Sequence, residues 1–152
     1  MIDYLVIREM RFEDINRVKL ISDDYWRSLG RIRTGAFINY VKENRGLVAL
    51  VDSGKGLTPE GFLIFGYKKS DNAVALYKIA VSGFLRRQGI GSALLCELKR
   101  TAIERGFSRI YTKCPAILDD ASMFFYKHGF YLVDIEYTRR KNLSVLLLDL
   151  KS

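Results

Sequence analysis

Arg86-Arg87-Gln88-Gly89-Ile90-Gly91 is the segment whose residue types and spacing specify chemistry most directly. Glycines two apart leave backbone N–H groups uncovered by side chains, and a helix starting there adds the positive end of its dipole, so the turn suits a phosphate. From Arg86 to Lys113 there are seven basic residues against two acidic ones, so most of the chain's formal charge of +8 follows this turn. A polyphosphate ligand accounts for part of that excess, and a solvated helix face (Lys99, Arg100, Arg105) accounts for the rest. The lone histidine, His128, stands one residue before Gly129 and reads as a helix-end residue rather than a proton shuttle. Cys96 and Cys114 lack the spacing of a metal knuckle or redox pair and read as reduced structural thiols.

The elements that must position these residues follow from periodicity. A first strand is predicted from about Ile2 to Arg8. A helix follows over Phe12–Ile21, with Phe12, Ile15, Val18 and Ile21 on one face, and a second covers Gly35–Asn44 with Thr34 as N-cap. Strands Leu47–Asp52 and Gly61–Lys68, joined by a Gly- and Pro-containing loop from Ser53 to Glu60, read as antiparallel neighbours, and a third run, Ala73–Val81, leads into the turn. From Ile90 the apolar positions Leu94, Leu95, Leu98, Ala102 and Ile103 recur at helical spacing until Gly106. A strand Arg109–Cys114, a short helix capped by Asp119-Asp120 and ending at Lys127, and closing strands Phe130–Tyr137 and Leu143–Leu150 complete the order. The last strand is apolar on both faces, as a strand inside a sheet or a subunit contact would be.

The whole reads as a mixed α/β domain, with all 152 residues in one domain. No apolar run is long enough to cross a membrane and the N-terminus carries Asp3, Arg8 and Glu9, so the reading is a soluble, cytoplasmic protein.

Arg86-x-x-Gly89-x-Gly91 after the fourth strand, Ile79-Ala80-Val81 before it, Tyr126-Lys127-His128-Gly129-Phe130, and the opening Ile7-Arg8 with Asp14-Ile15 together resemble the GNAT family of N-acetyltransferases over essentially the whole chain. The resemblance implies that family's acyl-CoA N-acyltransferase fold: a mostly antiparallel central sheet with a splayed strand pair and helices on both faces. It implies acetyl-CoA as co-substrate, without a metal, and a primary amine of a small molecule or a polypeptide as acceptor. The pyrophosphate would be cradled by Arg86, Arg87, Gln88, Gly89, Ile90, Gly91 and Ser92, and the pantetheine arm would lie along the backbone of Ile79, Ala80 and Val81, with Asp119 also on the cofactor side. The Val81 N–H would serve as oxyanion donor, and Tyr126 would protonate the departing thiolate, a phenol carrying a proton it can give.

Three positions depart from the family pattern. Asp119 stands where Asn is common, Ser122 where Ala is usual, and no carboxylate lies between Ala73 and Val81 to act as general base, which leaves water-mediated deprotonation or a carboxylate from elsewhere, such as Asp23, Asp24, Asp119 or Glu136. Acceptor selection falls on Asp23-Asp24-Tyr25-Trp26 and on Tyr137 with Thr138-Arg139-Arg140-Lys141. A competing reading is a non-catalytic module of the same fold that holds an acyl-CoA or a nucleic acid. Nucleic-acid binding ranks below catalysis because no helix-turn-helix, RNP-type or zinc signature is present. Either a monomer or a homodimer fits.

Overall fold

The computed structural model describes residues 4–25, 30–52, 54 and 56–150. Its elements are β1 (Leu5–Glu9), a 3-10 turn (Phe12–Asp14), α1 (Ile15–Asp24), α2 (Thr34–Lys42), β2 (Gly46–Asp52), β3 (Leu57–Lys68), β4 (Ala73–Val81), α3 (Ile90–Glu104), β5 (Arg109–Pro115), α4 (Asp120–Lys127), β6 (Tyr131–Tyr137) and β7 (Asn142–Asp149). The strands form one seven-stranded sheet in the order β1-β2-β3-β4-β5-β7-β6. Its pairings are antiparallel at β1–β2, β2–β3, β5–β7 and β6–β7 and parallel at β4–β5. This is the predicted element order and the predicted mostly antiparallel sheet. No helix among the described residues is long and apolar enough to span a membrane.

The chain divides into two compact units, one from the described parts of Met1–Phe65 and Lys78–Leu98, the other from Gly66–Tyr77 and Lys99–Ser152. In the first, α1 and α2 supply Ile15, Val18, Ile21 and Phe37 to a core with Val48, Leu50, Phe62, Ile64 and Ala80. Phe37 and Phe62 meet edge to face at 5.7 Å. Gly61 is required by packing: a Cβ there would lie 3.0 Å from Ile90 Cγ2 and 3.3 Å from the Ala80 carbonyl, so a bare backbone lets α3 close down on the strand.

In the second unit β4 runs parallel to β5 from Ala73↔Arg109 to Leu76↔Thr112, while β5 continues to Pro115 against β7. At the end of the parallel register the buried Thr112 hydroxyl donates to the Leu76 carbonyl at 2.9 Å. β7 lies between β5 and β6, which explains its run of apolar residues.

Local boundaries differ from expectation for identifiable reasons. Phe12 is exposed because Phe12–Asp14 forms a 3-10 turn, which rotates it off the face shared by Ile15, Val18 and Ile21. Thr34 lies inside α2, and Arg33 is the N-cap, without a side-chain bond. Ile103 is exposed at the last turn of α3. β3 begins at Leu57, so Thr58, Pro59 and Glu60, read as loop, belong to the strand. The pairing jumps from Ala49↔Gly61 to Leu50↔Pro59, leaving Glu60 as the extra residue of a β-bulge. Ile2, taken as the start of the first strand, lies outside the described residues.

Candidate active site

The Arg86–Gly91 turn begins where β4 stops. Ser82 donates its backbone N–H to the Glu60 carbonyl at 2.8 Å, a 3-10 turn covers Gly83–Leu85, and Arg86 is extended (φ −62°, ψ 154°). Arg87 and Gly89 then take left-handed φ values of 63° and 82°. Such a conformation is costly for a side-chain-bearing residue and free for glycine, so the chain accepts strain at Arg87 to reverse its amides. The first bond of α3 runs from Ala93 N–H to the Gly89 carbonyl (3.0 Å), so the amides of Ile90 and Gly91 precede the hydrogen-bonded ladder at the helix's positive end. A Cβ on Gly89 meets nothing within 4 Å, and Arg86, Arg87, Gln88 and Gly89 are all exposed. The turn therefore presents successive amides and the exposed Arg87 side chain to open space, the arrangement an anionic group needs.

The same unit brings together three residues that sequence reasoning had assigned to separate roles. The Tyr25 hydroxyl, just past α1, donates to the Val81 carbonyl at 2.5 Å and accepts from Arg86 Nε at 2.9 Å, and the Arg86 guanidinium stacks 4.7 Å over the Tyr25 ring. Alongside lies a pair the sequence did not reveal. Glu60, 4% exposed on its bulge, is gripped bidentately by Arg17 of α1, which also donates from Nε to the Pro59 carbonyl at 3.2 Å. The signal was an acidic residue between Pro59 and Gly61 at the head of an apolar run, which an assignment to loop concealed. Asp23, expected as an acidic attractor, pairs with Lys19 at 3.0 Å, and Asp24 is exposed. Trp26 lies outside the described residues. The buried Ser22 and Ser82 hydroxyls have no hydrogen-bond partner among the described residues.

In the other unit Asp119 and Ser122, both departures from the family pattern, form a reciprocal cap on α4. Asp119 Oδ1 accepts from Ser122 N–H (2.9 Å), Ser122 Oγ accepts from Asp119 N–H (3.0 Å), and that hydroxyl also donates to the Ile117 carbonyl (3.0 Å). Asp119 also helps burial push the Cys114 thiol up, burial being the larger cause. Along α4, Phe125 is 5% exposed and packs on Phe130 at 5.2 Å, whereas Tyr126, the next residue, is 39% exposed. The phenol is therefore outside the aromatic core that its neighbours form.

His128 is the C-cap of α4, its N–H reaching the Phe124 and Phe125 carbonyls and its ring 4.6 Å from that of Phe124. Burial, with Lys99 and Lys127 nearby, holds its pKa below the usual imidazole range. Glu136 is paired with Lys113 at 2.9 Å. Tyr137 is 79% exposed, and Arg139, Arg140 and Lys141 are exposed in a hairpin tip closed by Thr138 N–H to the Lys141 carbonyl (3.2 Å). Among the described residues no group of three or more His, Cys, Asp and Glu side chains is placed to hold a metal ion.

A family model described as the acetyltransferase (GNAT) family matches residues 10–130. Among solved structures, Ard1 from Thermoplasma volcanium superimposes with a TM-score of 0.84 at 21% identity, covering 97% of this chain and 99% of that one. The ribosomal-protein-S18-alanine N-acetyltransferase from Escherichia coli gives a TM-score of 0.79 at 20% identity over 98% and 96% of the two chains. YncA of Salmonella typhimurium, solved with its cofactor acetyl-CoA, gives 0.78 at 16% identity over 97% and 94%. No curated protein matches by sequence.

Proposed function

The chain belongs to the GNAT acetyltransferase family, and from that premise we propose that it is a single-domain N-acetyltransferase, residues 1–152, acting on a primary amine of a small molecule or of a polypeptide N-terminus or lysine. The observation that carries this reading is the Arg86–Gly91 turn, whose left-handed Arg87 and Gly89 set successive amides at the start of α3. A neighbour of the same fold is solved with acetyl-CoA, and the turn suits the pyrophosphate of that co-substrate.

Acetyl-CoA, when bound, supplies an activated acetyl thioester. The residues of this chain then have separable tasks. Amides from Arg87 to Ser92, together with the Arg86 and Arg87 side chains, hold phosphate. The backbone of Ile79–Val81 lies past Leu76, the last β4 residue in register with β5, and serves the pantetheine arm. The Val81 N–H donates to the carbonyl oxygen as charge builds on it during attack by the amine. As the amide bond forms and the carbon–sulfur bond breaks, the exposed Tyr126 hydroxyl delivers its proton to the departing sulfur, while the proton lost by the amine passes to water, from which the phenolate is reprotonated. Asp119 contributes by fixing the start of the helix that bears Tyr126. Among the acceptor-side residues, Tyr25, Asp23 and Asp24 lie at the end of α1 and Tyr137 at the end of β6. Asp23, paired with Lys19, offers an incoming ammonium less attraction than its type suggests.

The test is a thiol-release assay with acetyl-CoA and a panel of small amines and N-terminal peptides. Tyr126→Phe is expected to lower kcat about a hundredfold with acetyl-CoA affinity within about twofold of the parent. Gly89→Val, which pushes a branched side chain into the phosphate space at a left-handed position, is expected to remove acetyl-CoA binding in calorimetry. Unchanged turnover in Tyr126→Phe would take that residue out of the mechanism, and normal binding by Gly89→Val would show the cradle to be elsewhere.

A further inference from the structure

The peptide that joins Val81 to Ser82 is fixed at both ends. Its N–H, on Ser82, donates to the Glu60 carbonyl of β3 at 2.8 Å, and its C=O, on Val81, accepts from the Tyr25 hydroxyl at 2.5 Å. In a trans peptide these two groups point in opposite directions, so the Val81 carbonyl faces the edge of β4 turned away from β3. In an extended residue the N–H and C=O share an edge. The Val81 N–H, carried by the preceding Ala80–Val81 peptide, therefore faces the same edge as the Tyr25 hydroxyl, and the bond Tyr25 makes bears on it through the Val81 backbone dihedrals that join the two peptides.

Tyr25 is itself held. Arg86 Nε donates to its oxygen at 2.9 Å, and the guanidinium lies over its ring at 4.7 Å. The first residue of the Arg86–Gly91 turn thus grips the same phenol that grips the strand end. Behind the peptide, the bulge that carries the Glu60 carbonyl is clamped by the Glu60 side chain to Arg17. The Tyr25 bond is made by a hydroxyl, which Tyr25→Phe removes while keeping the ring.

We propose that Tyr25 is a positioning residue for acyl transfer: its hydroxyl, steadied by Arg86, fixes the Val81–Ser82 peptide and thereby holds Val81 extended, so that the N–H on the other side of its Cα points at the developing charge, linking the cofactor turn to the strand end. The role differs from acceptor binding, and it rests on the acetyltransferase reading above. Since the hydroxyl acts through the backbone and not on the reacting atoms, its loss costs less than loss of a direct oxyanion donor, about tenfold rather than a hundredfold or more.

The experiment compares the parent chain with Tyr25→Phe and Arg86→Lys. Acetyl-CoA carrying 13C at the thioester carbonyl is bound to each, and the infrared carbonyl stretch is recorded alongside kcat, KM for the best amine of the panel, and acetyl-CoA affinity by calorimetry. In Tyr25→Phe we expect kcat down about tenfold, KM for the amine and acetyl-CoA affinity within about twofold, and the carbonyl band moved toward its frequency in water-free solvent as its hydrogen bond weakens. Arg86→Lys, which keeps the charge but removes the Nε donor, is expected to give the same band shift in smaller measure.

A Tyr25→Phe variant with parental kcat and an unmoved carbonyl band overturns the positioning role. A variant whose amine KM rises while kcat and the band stay put also overturns it, by assigning Tyr25 to acceptor contact. If the parent chain itself shows no acetyl-CoA binding, the acetyltransferase reading fails first, an outcome separate from either of these.

Discussion

Two regions carry the candidate site residues, and they are held together in opposite ways. At the end of β4 the contacts described for Tyr25, Glu60 and the Ser82 N–H cross a long stretch of chain: Tyr25 with Val81 and Arg86, Arg17 with Glu60, Ser82 with Glu60. At the start of α4 the contacts run between close sequence neighbours, Asp119 with Ser122 and Ser122 with Ile117. The first region is therefore only as ordered as the tertiary fold that assembles it, whereas the second forms wherever its own helix forms. Damage should follow suit, large and cooperative in the first, small and local in the second.

The sharpest way to break this contrast is at Arg17. Arg17→Met leaves the Glu60 carboxylate, 4% exposed, without its cationic partner. Stripping one member from a buried pair costs about 3–5 kcal/mol, and the partial exposure of Arg17 brings the expected loss to about 2–3 kcal/mol in urea unfolding. Arg17→Met with Glu60→Leu removes both charges and is expected to recover to within about 1 kcal/mol of the parent, because the desolvation penalty goes with them. A single variant that loses no more than about 0.5 kcal/mol would place this pair among ordinary surface bridges and erase the distinction between the two regions.

At the other region Asp119→Ala removes the side-chain acceptor of a capping box and is expected to cost about 1 kcal/mol. Asp119→Asn should keep most of that, since an amide oxygen can still accept from the Ser122 N–H. Because Ser122 is the reciprocal partner, Ser122→Ala combined with Asp119→Ala should lose clearly less than the two losses added together. Additive losses would mean that the two residues act on α4 independently, contrary to the mutual bonds between them.

The same contrast explains what the sequence made legible. The turn at Arg86–Gly91, the helix that follows it and the Asp119 cap are written in neighbouring residues, and the structure places them as read. The order of strands was legible too, because alternation and punctuating glycines are local signals. Glu60 was not. Its strand begins with Leu57-Thr58-Pro59, a proline where strands rarely carry one, and the bulge that absorbs it exists only because β2 pairs alongside. Tyr25 was legible as a residue beside the site but not as the partner of Val81, since no spacing rule connects positions 56 residues apart. For Asp23 the residue type suggested an attractor for amines, and the structure adds that a lysine one helical turn earlier pairs with it.

The smallest expected effect belongs to His128, and it tests whether the α4 region stays local even when charge is introduced. Burial comes first, then the nearby Lys99 and Lys127, in holding the folded imidazole below its ordinary pKa. The unfolded chain, free of both, binds a proton near the ordinary value of about 6.5. Between the folded and unfolded values the unfolded state carries more protons, so this group makes stability rise with pH across that window. Its contribution is full above about 6.5 and is lost as pH falls through the lowered folded value. Replacing His128 by Gln keeps a side chain of similar length at the C-cap and removes the titration. Unfolding free energies measured at pH 7.5 and 5.5 should therefore fall less steeply on acidification in His128→Gln than in the parent. An identical fall in both proteins would mean that the imidazole titrates alike folded and unfolded, and that its contact with Phe124 and the two lysines leaves its protonation unchanged.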